Sequence, residues 1–320
     1  MTNGLFWGVP VILYLFLAGM GAGATTVSAS MLLRGGGGAR GMHYEIARYG
    51  ALLGPIPVIL GVALIVLELG SFQTGHYFRF VNLFLVANLS PMSVGSWLLV
   101  VFIISSVMYA YTYLGFMPMP LGDRFKWRRA LAWVNIPLGI GVAIYTGVLL
   151  GSMPARPFWN SPLLALLFLI SALSTGVALI ILTRAIMTGG EPSEEQHEVI
   201  HRSGYVLASA DALLIGLEIL SVFLFIMFAY LTVGDVRVAV STILPGGPLA
   251  TWFWVGVVLM GLVLPGLVEL YYVAPVLLYQ KRYGISRYVE ILVALAVISG
   301  GFFLRYVVVV AGQITGPIGL

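Results

Sequence analysis

The chain has 320 residues, of which 60% are hydrophobic and only 9% charged, with no cysteine and a formal charge of +4. Soluble domains carry about 25% charged and about 45–50% apolar residues, so a soluble enzyme is excluded. The missing thiols exclude disulfides, thiolate zinc sites and any iron–sulfur cluster ligated by this chain alone, and the positive balance is no nucleic-acid footprint, because basic residues of a membrane protein gather in its cytoplasmic loops.

A bilayer core of roughly 30 Å takes about 20 apolar residues of helix. Eight segments meet that length: Trp7–Leu33, Ile46–Leu69, Val94–Leu114, Leu131–Gly151, Pro162–Met187, Gly204–Leu231, Thr251–Leu278 and Tyr288–Ala311. The expected fold class is all-α, a polytopic membrane protein with eight transmembrane helices. The first segment has no basic residue before it and outruns a signal-peptide core, so it reads as a retained span. An even number of spans puts both termini on one side, side A. The opposite side B carries Arg34, Arg40, Arg48, Arg124, Lys126, Arg128, Arg129, Arg184, Arg202, Lys281, Arg282 and Arg287, whereas side A carries Arg79, Arg156 and Arg237. The positive-inside rule makes side B cytoplasmic and sets both termini outside a cell inner (plasma) membrane. Trp7, Trp97, Trp159, Trp252 and Trp254 fall near side A and Trp127 and Trp133 near side B, as interfacial belts do.

The chain also reads as an internal duplication. Phe6-Trp7-x-x-Pro10 then Leu15-Phe16-Leu17 matches Phe158-Trp159-x-x-Pro162 then Leu167-Phe168-Leu169. His43-x-x-Ile46-x-Arg48-x-Gly50 recurs as His197-x-x-Ile200-x-Arg202-x-Gly204, and Leu64-Ile65-x-Leu67-Glu68 as Leu214-Ile215-x-Leu217-Glu218. The expected organisation is two parallel four-helix bundles, residues 1–151, expected to bind quinone, and 152–320, structural with a possible proton path. Parallel repeats differ from the inverted repeats of many transporters. Gly19-x-x-x-Gly23 and Ala172-x-x-x-Gly176 supply close helix contacts.

No span offers a histidine near its middle, since His43, His76, His197 and His201 lie in connections or at helix ends; a haem between facing helices is therefore not expected. Charged groups within spans are costly and hence functional candidates. Glu68 ends the second span near side A, and Asp211 and Glu218 stand seven residues apart on one face of the sixth. Arg305 lies toward side A on the eighth span, and Glu269 and Glu290 lie toward side B. Proton transfer through Glu68, Asp211 and Glu218 is one reading; a structural ion pair of Glu218 or Glu68 with Arg305 is the other. At about 1.5 Å per residue, Tyr14 and Tyr145 each lie roughly 10 Å below the side-A boundary, with Glu68 at that level or slightly above. A carboxylate and two phenols at one depth suit the carbonyl oxygens and protons of a quinone headgroup. The tyrosines serve equally well as interfacial anchors. His76 and Trp97 on side A complete the headgroup candidates. A transporter or proton-conducting channel for a small solute is the competing class.

Trp7 through Gly23 (WGVPVILYLFLAGMGAG), Glu68-Leu69-Gly70, Ser90-Pro-Met-Ser-Val-Gly-Ser-Trp97, Tyr145-Thr-Gly-Val-Leu-Leu150 and Pro157-Phe-Trp-Asn-Ser-Pro-Leu163 resemble the polysulfide reductase integral membrane subunit family, also called NrfD-like. The likeness covers nearly the whole chain. It implies an eight-helix, haem-free, quinone-reactive anchor of a respiratory complex, with menaquinone or ubiquinone bound near the outer face. It also implies a ferredoxin-like iron–sulfur subunit as partner and a molybdopterin or other catalytic subunit beyond it. The family's polar contact on the first helix, a histidine in the polysulfide reductase branch, falls at Tyr14, and its Asp-Leu-Gly is Glu68-Leu69-Gly70 here.

Overall fold

A computed structural model describes residues 7–36, 43–69, 90–114, 121–187, 194–280 and 283–316; side chains at 35–36, 68–69, 121–122 and 194–201 lie outside the description. Among the described residues there is no strand. The helices are α1 (Val9–Met31), running on as a π-helical turn Leu32–Gly36, α2 (Tyr44–Leu53), α3 (Pro55–Leu69), α4 (Pro91–Tyr111), α5 (Leu121–Gly151), α6 (Pro162–Met187), α7 (Glu194–Leu231) and the short α8 (Asp235–Val240). A π-helical stretch, Trp252–Val263, leads into α9 (Leu264–Tyr279), and α10 (Arg287–Ile314) closes the chain. Eight of these segments are long and apolar enough to cross a bilayer, with α2 and α3 joined as one span.

Local sequence fixes the helix ends. Proline opens α1 and α4 in the first turn, where its missing N–H costs nothing. Ser90 caps α4 by accepting from the Ser93 N–H at 3.3 Å, and Ser286 caps α10 by accepting from the Val289 N–H at 3.4 Å. The Gly54-Pro55 step divides α2 from α3, because Pro55 and Pro57 offer no N–H, but the Gly54 N–H still donates to the Gly50 carbonyl at 3.0 Å. Two helices start earlier than their apolar runs suggest. α5 begins at Leu121 and α7 at Glu194, ten residues before Leu131 and Gly204 in each case. Polar residues such as Arg124, Lys126 and Gln196 are good helix formers, and Gly204 at the edge of the apolar run lies within α7 without ending it.

Helices α1 and α6 form the buried centre, while α7 and α9 keep wide apolar faces exposed, among them Leu213, Leu220, Phe223, Leu267 and Leu270. The two central helices run parallel. At side A, Trp7 stacks on Trp159 with ring centroids 5.2 Å apart, and the Trp159 indole N–H donates to the Val308 carbonyl at 2.7 Å. Gln313 clamps this end, accepting from the Trp7 N–H at 2.9 Å and donating to its carbonyl at 3.1 Å. Deeper in, a side chain on Gly23 would strike the Ala172 backbone and one on Gly176 the backbone of Gly23 and Ala24. Backbone-to-backbone approach of this kind needs glycine and drives helix association where the solvent is lipid.

Candidate functional site

In residues 7–151 the polar groups of the interior are almost all uncharged. Tyr14 of α1 is buried and lies within electrostatic reach of Tyr145 of α5. The Tyr145 ring rests on α4 at Gly95, where an added Cβ would collide with the ring and its hydroxyl. The α3 backbone passes Tyr14 at Gly61, where a Cβ would stand 3.2 Å from the Tyr14 carbonyl oxygen. Among the described residues no hydrogen bond engages either phenol, so both O–H groups remain available to a ligand. The structure thus brings Tyr14 and Tyr145 together, as the depth arithmetic expects.

The other candidates of this region are placed differently. Gly61 is level with Tyr14, and Glu68 follows it by seven residues on α3, so its backbone stands about 10 Å nearer side A. The Glu68 side chain and all of His76 lie outside the described residues. Trp97, two residues past the buried Gly95, is 45% exposed on the outer face of α4. At side B, the Ser28 hydroxyl meets Tyr109 at 3.1 Å, and Tyr109 meets Tyr113 at 3.2 Å. Arg128 covers the Tyr113 ring at 4.2 Å and donates to the Thr112 carbonyl at 2.6 Å. His43 precedes α2 without making a side-chain cap; burial and the Arg202 charge push its imidazole below the usual value.

The second half buries ionisable groups in a file. Arg305 of α10 is 0% exposed, donates to the Ser171 hydroxyl and to the Phe168 carbonyl at 3.2 Å, and lies 4.7 Å above the Phe168 ring. Glu218 is buried within electrostatic reach of Arg305. Among the described residues Glu218 and Arg305 form no direct salt bridge, so the ion pair offered as the alternative reading is not made as a contact. One turn deeper on α6, the Ser174 hydroxyl donates to Asp211 Oδ1 at 2.9 Å, and Glu269 of α9 is buried on the face of that helix that packs against α7. Near side B, Arg184 bonds Glu290 at 2.5 Å and the Ser203 hydroxyl at 3.3 Å. Tyr283, whose phenol burial raises, senses both that pair and Glu269. Asp211 and Glu218 therefore do face inward together. Glu269 and Ser174 were not expected beside them, although a buried carboxylate demands a donor such as the Ser174 hydroxyl.

Among the described residues no cluster of three or more His, Cys, Asp or Glu side chains stands ready for a metal ion. The profile described as "Polysulphide reductase, NrfD" matches residues 1–317. The sequence is 30% identical to a component of the polysulfide reductase of Wolinella succinogenes, over 97% of this chain and 95% of that protein. It is 28% identical to protein NrfD of Escherichia coli, over 97% and 96% of the respective lengths. A shorter stretch, 44% of this chain and 32% of the relative, is 30% identical to a component of the selenate reductase of Mesobacillus selenatarsenatis. With its eight apolar spans and a profile match over nearly its full length, the chain belongs to the polysulphide reductase NrfD family of multi-span membrane proteins.

Proposed function

We propose that this chain is the quinone-reactive membrane subunit of a respiratory oxidoreductase complex, binding quinone or quinol near the outer face. The observation that carries the reading is the pairing of Tyr14 and Tyr145, two uncommitted phenols at one depth in a bundle that buries no carboxylate among the described residues. They fit a headgroup's two carbonyl oxygens, because a neutral O–H donor recognises such an acceptor without burying a charge. A bound quinone supplies two-electron, two-proton chemistry. Tyr14 and Tyr145 orient it, Gly95 leaves room for the Tyr145 ring, and Glu68, nearer side A, exchanges protons with the outer aqueous phase. Electrons pass to or from a docked ferredoxin-like iron–sulfur subunit on side A, with a molybdopterin or other catalytic subunit beyond it. This division of labour follows from a chain with no Cys and no mid-span His. Side B, rich in Arg and Lys, faces the cytoplasm.

The second part of the reading is a proton route through Asp211 and Glu218. Ser174 holds Asp211, and Asp211 and Glu218 make a file that runs from the Arg184–Glu290 end toward Arg305. A solute-transport role gains less support: at the Gly54-Pro55 step, where α2 gives way to α3, the Gly54 N–H keeps its bond to the Gly50 carbonyl.

Isolation of the complex tests the reading. Bound quinone and a co-purifying iron–sulfur protein are expected, with both Tyr14→Phe and Tyr145→Phe weakening quinol turnover. A chain that purifies alone, free of quinone, and moves a solute across proteoliposomes would overturn it.

A further inference from the structure

The Asp211 and Glu269 side chains meet in the interior of the second half, from α7 and α9, with 0% and 2% exposure. They face each other where α7 and α9 pack, between the contact of Gly266 with Ile215, where a Cβ would stand 3.1 Å away, and the cluster of Ala208 with Val273. Ser174 of α6 donates to Asp211 Oδ1 at 2.9 Å, whereas Asp211 Oδ2 and Glu269 Oε2 find no donor among the described residues. Two ionised carboxylates offer only acceptors and repel when buried side by side, so such a pair is held together by a proton carried by one of them. The surrounding charges do not remove that need. Glu218 is two turns along α7 and adds repulsion, Arg305 of α10 is engaged with Ser171 beside Glu218, and Arg184 and Glu290 are bonded to one another at side B beyond Tyr283. A metal ion is a poor substitute, since no third His, Cys, Asp or Glu joins the two acids among the described residues.

We propose that Asp211 and Glu269 together form a binding site for a single proton inside the second half, between Tyr283 toward side B and Glu218 toward side A. The bound proton leaves the pair with one negative charge, stabilised by the Ser174 hydroxyl. One proton arriving from side B protonates the second carboxyl, and one leaving toward Glu218 restores the shared state; no bond to carbon changes. The part this site plays in turnover rests on the proton route proposed above. Its occupancy does not, and can be measured without quinone or partner.

The test is infrared spectroscopy of the purified full chain in detergent at neutral pH, freed of quinone. Wild type is expected to carry a protonated-carboxyl stretch lowered in frequency by its strong bond to a carboxylate and sensitive to deuterium. Glu269→Gln and Asp211→Asn, both nearly isosteric, are each expected to abolish that lowered band, whatever isolated acid band replaces it. Ser174→Ala is expected to shift the band without removing it, and serves if one acid variant fails to fold. Absence of the lowered band from wild type, or its survival in either acid variant, would overturn the shared proton. Because the sample contains no quinone, that failure would leave the first-half reading untouched.

Discussion

Residues 7–151 and residues 152–316 bury different chemistry. The first keeps phenols near side A and a Ser28–Tyr109–Tyr113 hydroxyl cluster near side B, with Leu99, Phe102 and Val142 as an apolar layer between them. No carboxylate is buried there among the described residues. The second half instead carries Asp211, Glu218, Glu269 and Arg305 through its interior. Desolvated charge is costly, and the contrast suits the division of roles proposed above. Recognition of a neutral headgroup needs neutral donors, and movement of protons needs groups that ionise.

This contrast can be broken by mutation. The largest effect is expected at Arg305, whose removal in Arg305→Leu leaves Glu218 and Ser171 without their cation. A loss of about 3 kcal/mol is expected, read as a lowered melting temperature of the purified complex, since breaking a buried charged network strands the remaining charge. Next, Glu218→Gln is expected to cut proton uptake coupled to quinol turnover by roughly 100-fold, the scale of a positioned proton carrier. Its melting temperature should change far less than that of Arg305→Leu. Unchanged proton uptake would remove the second half from the mechanism.

In the first half, Tyr14→Phe and Tyr145→Phe each delete one hydrogen bond of about 1 kcal/mol, so quinone affinity should fall about fivefold. That drop should appear in the quinol KM without a change in melting temperature. Trp97→Leu should have the smallest effect, within about twofold, because a hydrogen-bond loss of even 1 kcal/mol would exceed that and the indole points outward at 45% exposure. A large effect at Trp97 together with none at Tyr145 would move the headgroup to the outer face of α4.

Local composition carries much of the fold. Eight apolar runs become eight spans because hydrocarbon thickness sets helix length, and that rule needs no tertiary information. The common depth of Tyr14 and Tyr145 follows from the same rise per residue. Glu68 departs from the expected level because helix register against α1 is set by the close pass of Gly61 on Tyr14, which span counting does not capture. The starts of α5 and α7 extend beyond the apolar runs, since helical winding is ended by caps and breakers and not by the bilayer edge. The facing of Asp211 and Glu269 was illegible for another reason. It brings α7 and α9 together across the bundle, and the seven-residue spacing of Asp211 and Glu218 reveals only which face is polar.

Everything proposed for the first half depends on quinone being held there, between α1 and α5. Photolabelling of the isolated complex with an azido-quinone, followed by peptide mapping, tests this directly. Label is expected on the segments bearing Tyr14 and Tyr145, displaced by excess quinone. Displaceable label confined to α7, α9 or α10 would contradict it.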